Sequence, residues 1–162
     1  AGVLYIGLPS LALVGLQAHA VQGSKIMFGL FLIVWMTDTG ALVFGKLIGG
    51  RKLWPAVSPG KTWAGTIGGS LTATVMFGLY IAFFGFHVLP AMLFALGLSA
   101  VAHLGDLLES WVKRRFGTKD SGGLIPGHGG VLDRMDSMFA CSVVLALLVF
   151  GAHLNPMFGG HT

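Results

Sequence analysis

The few carboxylates of this sequence lie beside long apolar runs. A charge in or near a bilayer is costly unless it is paired or solvated, so each carboxylate is a candidate functional group. Structural ion pairs with the ten lysines and arginines are the alternative. This alternative suits Glu109, which precedes Lys113 by four residues on one predicted helix face. The six carboxylates belong to Asp38, Asp106, Glu109, Asp120, Asp133 and Asp136.

The spacing of these residues predicts that two helices offer carboxylates to one site. Asp106, Ser110 and Lys113 are four and three residues apart, so they share a helix face. Asp133 and Asp136 lie one turn apart at the start of the last predicted helix. No cysteine cluster or histidine pair accompanies them. Oxygen ligands of this kind favour Mg²⁺, or a similar cation that keeps water and binds substrate phosphates.

The segment that joins these two helices is rich in cations and glycines. It contains Lys113-Arg114-Arg115, Lys119, Gly122-Gly123 and the run PGHGG at residues 126–130. Glycines let backbone N–H groups approach a phosphate, and the next helix N-terminus adds its positive dipole. Together with the carboxylates, this segment predicts metal-assisted phosphoryl or nucleotidyl transfer. The sequence has no GxxxxGK[ST] motif, so a P-loop is excluded.

The elements that position these residues are predicted to be membrane helices. The sequence is 54% hydrophobic and only 10% charged, which leaves too little polar surface for a water-soluble domain. Its apolar runs are continuous rather than alternating, which favours helices over strands. We expect an all-α, polytopic integral-membrane bundle of about five transmembrane helices, forming one domain over residues 1–162. The helices are predicted at about residues 3–20, 26–45, two between 62 and 105, and 131–153, with the pair Gly65/Gly69 suited to close packing.

Charge distribution predicts how this bundle lies in the membrane. The loops at 46–61 and 113–119 carry eight lysines and arginines, whereas the loops near 18–25 and 85–90 carry one. Both basic loops are therefore expected in the cytoplasm, with the N-terminus inside and the C-terminus outside. Short basic loops between apolar helices argue against nucleic-acid binding. The single cysteine, Cys141, is expected to be a buried hydrophobe, and for His103 a packed, hydrogen-bonded role is favoured over metal binding.

The run from Ser110 to Asp136, SWVKRRFGTKDSGGLIPGHGGVLDRMD, closely resembles the signature of CDP-diacylglycerol synthases, also called phosphatidate cytidylyltransferases. The similarity extends to Gly105-Asp106 and to the run TDTGA at residues 37–41. It covers essentially the whole chain, although family members are longer and have more membrane helices before the region that aligns with Ala1. The chain is thus expected to be the C-terminal catalytic part, lacking those helices. The matching signature residues are Ser110, Lys113, Arg114, Lys119, Asp120, His128, Gly129, Gly130, Asp133, Arg134 and Asp136.

A second stretch with family similarity runs from Ser58 to Gly65. The family usually has Ser-Pro-Lys-Lys-Thr-x-Glu-Gly, whereas this sequence has Gly60 for the first lysine and Ala64 for the glutamate. Ser58 and Lys61 match the family pattern. The chain therefore departs from the family pattern at Gly60 and Ala64.

The resemblance implies that CTP and phosphatidate react to CDP-diacylglycerol and pyrophosphate at the cytoplasmic surface of a bacterial inner membrane. Mg²⁺ is the expected cofactor, with K⁺ as a possible second cation, and a homodimer is expected among membrane lipids. Asp106 and Asp133 would hold the metal, while Asp136 would support it or orient Arg134. Asp38 would contact cytosine or the metal shell, or else pair with a lysine. The remaining expected CTP and phosphate ligands are Ser58, Lys61, Lys113, Arg114, Lys119, Asp120, Gly129, Gly130 and Arg134, together with His128, for which a loop-structuring role weighs equally.

Three other functions remain open from the sequence. A CTP-dependent lipid kinase would use the same nucleotide but release CDP instead of pyrophosphate. A transporter would place its carboxylates at mid-membrane depth, whereas most of those here cluster at one predicted face. A catalytically inactive membrane fragment of the synthase is the third alternative.

Overall fold

The computed structural model describes residues 2–18, 23–115 and 136–151, and this part of the chain is mainly helical. Its last helix runs into a π-helical turn at Leu147–Gly151. The helices are α1 (Gly2–Ala18), α2 (Gly23–Leu47), α3 (Trp63–Phe83), α4 (Val88–Arg115) and α5 (Asp136–Ala146).

Three of these helices, α2, α3 and α4, are long and apolar enough to cross a membrane. The shorter α1 and α5 are also apolar, and α5 packs against both α4 and α1. The prediction of an all-α, membrane-type bundle is therefore confirmed. The number of crossings, about five, stays a prediction, and the predicted start of the last helix near Val131 lies outside the described residues.

The basic segment at 46–61, expected to be a plain loop, contains an antiparallel hairpin. Its strands are β1 (Lys52–Trp54) and β2 (Ser58–Thr62), with Lys52 opposite Thr62. Gly49 and Gly50, with φ of 63° and 86°, turn the chain from α2 into β1. The hairpin joins directly to α3, because the Thr62 hydroxyl caps this helix by accepting the Gly65 amide at 3.1 Å.

Small residues bring α2 and α3 into backbone contact, as the Gly65/Gly69 pair predicts. A Cβ atom on Gly69 would lie 2.4 Å from the Thr37 carbonyl oxygen, and one on Gly65 would lie 2.7 Å from the Ala41 carbonyl oxygen. On the facing helix, a Cβ on Gly40 would lie 2.9 Å from the Gly69 Cα. Since no side chain fits at these positions, the two helices approach as closely as their backbones allow.

The two ends of the bundle have different composition. The hairpin end comprises β1 and β2 with the C-terminal parts of α2 and α4 and the N-terminal part of α3. The aromatic end holds Lys25, the C-terminal part of α3 and the turn at 84–87. There the Lys25 ammonium lies 4.7 Å from the Phe84 ring centroid, and the Tyr80 hydroxyl donates to the Lys25 carbonyl at 3.3 Å.

The buried core lies between these ends. Phe77, Ile33 and Leu145 are fully buried. Cys141 is fully buried as well, and its thiol donates to the Leu98 carbonyl at 3.4 Å. The expectation of a buried, hydrophobe-like cysteine is therefore confirmed.

Candidate active site

A cavity of about 440 Å³ that is lined in part by charged side chains opens at the hairpin end of the bundle. Four elements form its walls, because α2, the hairpin, the first turn of α3 and the second half of α4 converge there. Two aspartates, three lysines and one histidine supply its charged and titratable groups. The lining residues are Asp38, Ala41, Leu42, Gly45, Lys46, Lys52, Gly60, Lys61, Thr62, Gly65, Thr66, His103 and Asp106.

An ion pair between the hairpin and α4 crosses this cavity. The Lys61 ammonium donates to Asp106 Oδ2 at 2.9 Å, and both side chains remain about one quarter exposed. Lys61 is held by β2 immediately before the Thr62 cap of α3, whereas Asp106 lies on the polar stretch of α4. The structure thus brings together two predicted site residues that are 45 positions apart.

Asp38 extends the charged wall from α2. Its carboxylate lies near enough to Asp106 and Lys61 for both charges to act on it, and the Ser137 side chain is within hydrogen-bonding reach. Residues of α2, α4, α5 and the hairpin therefore meet at one point. Both roles considered for Asp38 remain open, because it faces the cavity and also lies close to a lysine.

His103 belongs to the cavity wall but is held by the fold. Its ring is buried, and its Nε2 atom lies 3.1 Å from the Thr66 carbonyl oxygen. With the tautomer assigned so that Nε2–H donates, this contact links α4 to α3. The packed, hydrogen-bonded histidine that the sequence favours is confirmed.

A second polar cluster lies between α4 and α5. Lys113 forms an ion pair with Glu109 one turn earlier, as the four-residue spacing predicts. The buried Asp136 lies within hydrogen-bonding reach of Glu109. Neither Lys113 nor Arg114 lines the cavity. A nucleotide-binding role for these two cations stays a prediction, and in this structure Lys113 pairs with Glu109 of the same helix.

Ser58 lies on β2 opposite Trp54 and is half-buried. It is not among the cavity-lining residues, so its binding role stays a prediction. The remaining predicted site residues lie outside the described residues. They are Lys119, Asp120, His128, Gly129, Gly130, Asp133 and Arg134.

Lys46 and Lys52 are cavity residues that the sequence motifs do not indicate. Both line the cavity, one from the last turn of α2 and the other from β1. In the sequence, their common loop indicates only the orientation of the chain in the membrane. The sequence nevertheless contains one indication that they belong to the site, since both lie in the same basic segment as Lys61.

The described side chains suit a hydrated divalent cation. No group of three histidine, cysteine, aspartate or glutamate side chains converges into a metal cage within residues 2–18, 23–115 and 136–151. Asp38 and Asp106 nevertheless offer carboxylate oxygens to the same cavity. Mg²⁺ commonly takes one or two carboxylates and completes its shell with water and substrate phosphates. The donor set therefore fits Mg²⁺ better than it fits a fully protein-ligated metal.

The comparisons with known proteins agree on one family. Residues 1–151 match the cytidylyltransferase family. The phosphatidate cytidylyltransferase of Brucella suis biovar 1 is 47% identical over 156 residues, which are 94% of this chain and 56% of the relative. That of Staphylococcus haemolyticus is 43% identical over 150 residues, which are 88% of this chain and 58% of the relative.

The chain spans about half the length of the curated relatives it matches. The family match nevertheless covers nearly all of the chain, including the cavity and all described helices. The chain belongs to the cytidylyltransferase family.

Proposed function

We propose that this member of the cytidylyltransferase family transfers the cytidylyl group of CTP to phosphatidate, giving CDP-diacylglycerol and pyrophosphate. The relatives named above are phosphatidate cytidylyltransferases. The observation that carries the proposal is the Lys61–Asp106 pair, set in a charged cavity at one end of apolar helices. Such a cavity places a water-soluble nucleotide next to a lipid.

The reaction requires positioning more than proton transfer. A phosphate oxygen of phosphatidate forms a bond to the α-phosphorus of CTP, while the bond from that phosphorus to the bridging β-phosphate oxygen breaks. Pyrophosphate leaves with the electron pair. Because a phosphomonoester is largely ionised near neutral pH, the nucleophile needs no strong general base. The protein's main task is to align two anions and neutralise their charge.

Lys61 and Asp106 divide this task. The Lys61 ammonium would bind phosphate oxygens of CTP, and Asp106 would hold that lysine in place before the nucleotide arrives. Asp106 would also hold Mg²⁺, together with Asp133. The bound Mg²⁺ would supply Lewis-acid neutralisation of the phosphates. K⁺ as a second cation and a homodimeric assembly belong to the same proposal.

The glycine-rich segment would complete the site. Lys119 and Arg134 would stabilise the departing pyrophosphate, and Asp136 would orient Arg134 from the start of α5. Asp136 is buried beside Glu109, which favours a role in orienting Arg134 over a role in binding substrate.

We further propose that the hairpin end faces the cytoplasm of a bacterial inner membrane. Support comes from the charge difference between the two ends. The hairpin and the end of α4 carry a cluster of basic residues, whereas the aromatic end carries Lys25. CTP is cytoplasmic and phosphatidate is a membrane lipid, so this orientation lets them meet at the cavity.

Product analysis tests the proposed reaction. Membranes that contain the chain would be incubated with Mg²⁺, phosphatidate and CTP labelled in the cytosine or in the γ-phosphate. We expect the cytosine label in the lipid phase and the γ-label in pyrophosphate. Lys61→Gln should abolish this transfer, while Lys25→Gln at the aromatic end should leave it intact.

The opposite label distribution would reject the proposal. A γ-label in lipid without a cytosine label would identify a lipid kinase. If neither label enters the lipid although CTP binds in calorimetry, this chain is not a competent cytidylyltransferase.

A further inference from the structure

The net charge of the cavity wall cannot be counted from Lys61, Asp38 and Asp106 alone. These three residues would give its wall an excess of negative charge. Without a bound cation, such a wall would repel a nucleoside triphosphate or a phosphomonoester, both of which are negatively charged. Lys46 and Lys52 reverse the sign, since the cavity is lined by three lysines and two aspartates.

Lys46 and Lys52 also differ from Lys61 in their ion pairing. Lys61 already donates to Asp106 at 2.9 Å. Lys46 and Lys52 are exposed, and within the described part of the chain neither has a carboxylate within ion-pair distance. Among the described residues, no carboxylate therefore competes with a ligand for these two ammonium groups.

The hairpin register keeps two of these cations close together. Lys52 lies opposite Thr62, the residue after Lys61, so Lys52 and Lys61 occupy neighbouring strands and line the same cavity. Lysines from two neighbouring strands can therefore reach one ligand in the cavity.

We infer that Lys46 and Lys52 form a phosphate-binding subsite of the cavity that the Lys61–Asp106 pair crosses. Its ligand is a phosphate group of a substrate, either the β- and γ-phosphates of CTP or the phosphomonoester of phosphatidate. The identity of these two substrates rests on the proposed function, whereas phosphate binding by the two lysines does not.

The alternative is that the two lysines serve the fold or the membrane surface. Lys46 lies in the last turn of α2, where a cation interacts favourably with the helix dipole. Both side chains are also long enough to reach the headgroup region. These roles predict changes in stability or membrane binding without a specific loss of phosphate affinity, so the two interpretations are separable.

The primary experiment measures pyrophosphate binding by calorimetry to the detergent-solubilised chain. Lys46→Gln and Lys52→Gln should each weaken binding about three- to fivefold, the range for one solvent-exposed ion pair, and the double variant should weaken it roughly tenfold. Lys46→Arg and Lys52→Arg should restore binding. Arg51→Gln is the matched control, because Arg51 is exposed beside β1 but does not line the cavity.

Steady-state kinetics then distinguish the two sources of phosphate. A rise in KM for CTP alone assigns the subsite to the triphosphate, and a rise in KM for phosphatidate alone assigns it to the lipid headgroup. Unchanged pyrophosphate affinity in the double variant would overturn the inference, as would an equal loss in Arg51→Gln. If the wild-type chain transfers no cytidylyl group, the binding measurements still decide this inference separately from the proposed function.

Discussion

The two ends of the bundle are closed by different chemistry. At the hairpin end, α2 and α3 meet through glycines, and the space beside them is a cavity lined by lysines and aspartates. At the aromatic end, the rings of Tyr80 and Phe84 pack edge to face with centroids 5.1 Å apart, and Lys25 lies over Phe84. One end leaves polar groups accessible to a ligand, whereas the other fills its space with rings.

This difference shows how a small membrane protein can separate stability from chemistry. Helix packing in lipid depends on van der Waals contact, since burial from lipid brings little hydrophobic gain. The aromatic end obtains this contact from large side chains. The hairpin end obtains it from backbone against backbone, which leaves room for the charged groups of the cavity. Substitutions at the two ends should therefore affect different measurements.

The largest expected effect is on activity at the hairpin end. Asp106→Asn removes the charge that holds Lys61 and that would bind Mg²⁺, so turnover should fall roughly a thousandfold. The thermal stability of the purified chain should change little, because Asp106 is partly exposed. Turnover is measured as transfer of labelled cytidylyl to lipid. Wild-type turnover in this variant would remove Asp106 from the mechanism.

The next effect concerns the glycine contact between α2 and α3. In Gly69→Val, the new Cβ would lie 2.4 Å from the Thr37 carbonyl oxygen, which forces the helices apart and should cost about 3 kcal/mol of unfolding free energy. Thermal unfolding in detergent measures the loss. The control is Gly97→Val, since a Cβ at Gly97 meets no neighbouring atom within 4 Å. Equal destabilisation by both variants would show that helix contact is not the cause.

A smaller loss of stability is expected from the buried ring of Phe77. Phe77→Ala should cost about 2 kcal/mol, below the usual value for a soluble core, because the cavity term remains while the transfer term is reduced in lipid. The KM for CTP should stay unchanged, since Phe77 does not line the cavity. Stability and KM are measured on the same preparation. A large rise in KM without loss of stability would contradict the separation between the two regions.

The smallest expected effect is a lower KM for CTP in a variant of the hairpin. A Cβ atom at Gly60 meets nothing within 4 Å, and Gly60 lines the cavity. Gly60→Lys should therefore be accommodated, and its added positive charge should lower KM for CTP about threefold. His87→Lys adds the same charge in the turn at the aromatic end and should leave KM unchanged. A higher KM in Gly60→Lys would mean that the new side chain blocks the cavity.

The sequence predicts the helices better than it predicts the site. Continuous apolar runs indicate α2, α3 and α4, and local spacing is enough for the Gly65/Gly69 contact and the Glu109–Lys113 pair. The hairpin was missed because β1 has three residues and β2 contains Pro59 and Gly60, so no alternation is visible. The Lys61–Asp106 pair could be assigned to one site by family resemblance, but its contact depends on how the hairpin packs against α4. The same packing places Lys46 and Lys52 in the cavity wall, whereas in the sequence these lysines indicate only the orientation of the chain in the membrane.

The enclosure of Cys141 makes the orientation of the chain experimentally accessible. Its thiol is fully buried and is the only one in this sequence, so it should not react with a maleimide that cannot cross the membrane. A single cysteine introduced at Gly60 or at His87 would then be the only reactive thiol. In intact cells, the first should be protected and the second labelled if the hairpin end is cytoplasmic. Because Cys141 should not react, it does not have to be replaced before such site-directed labelling.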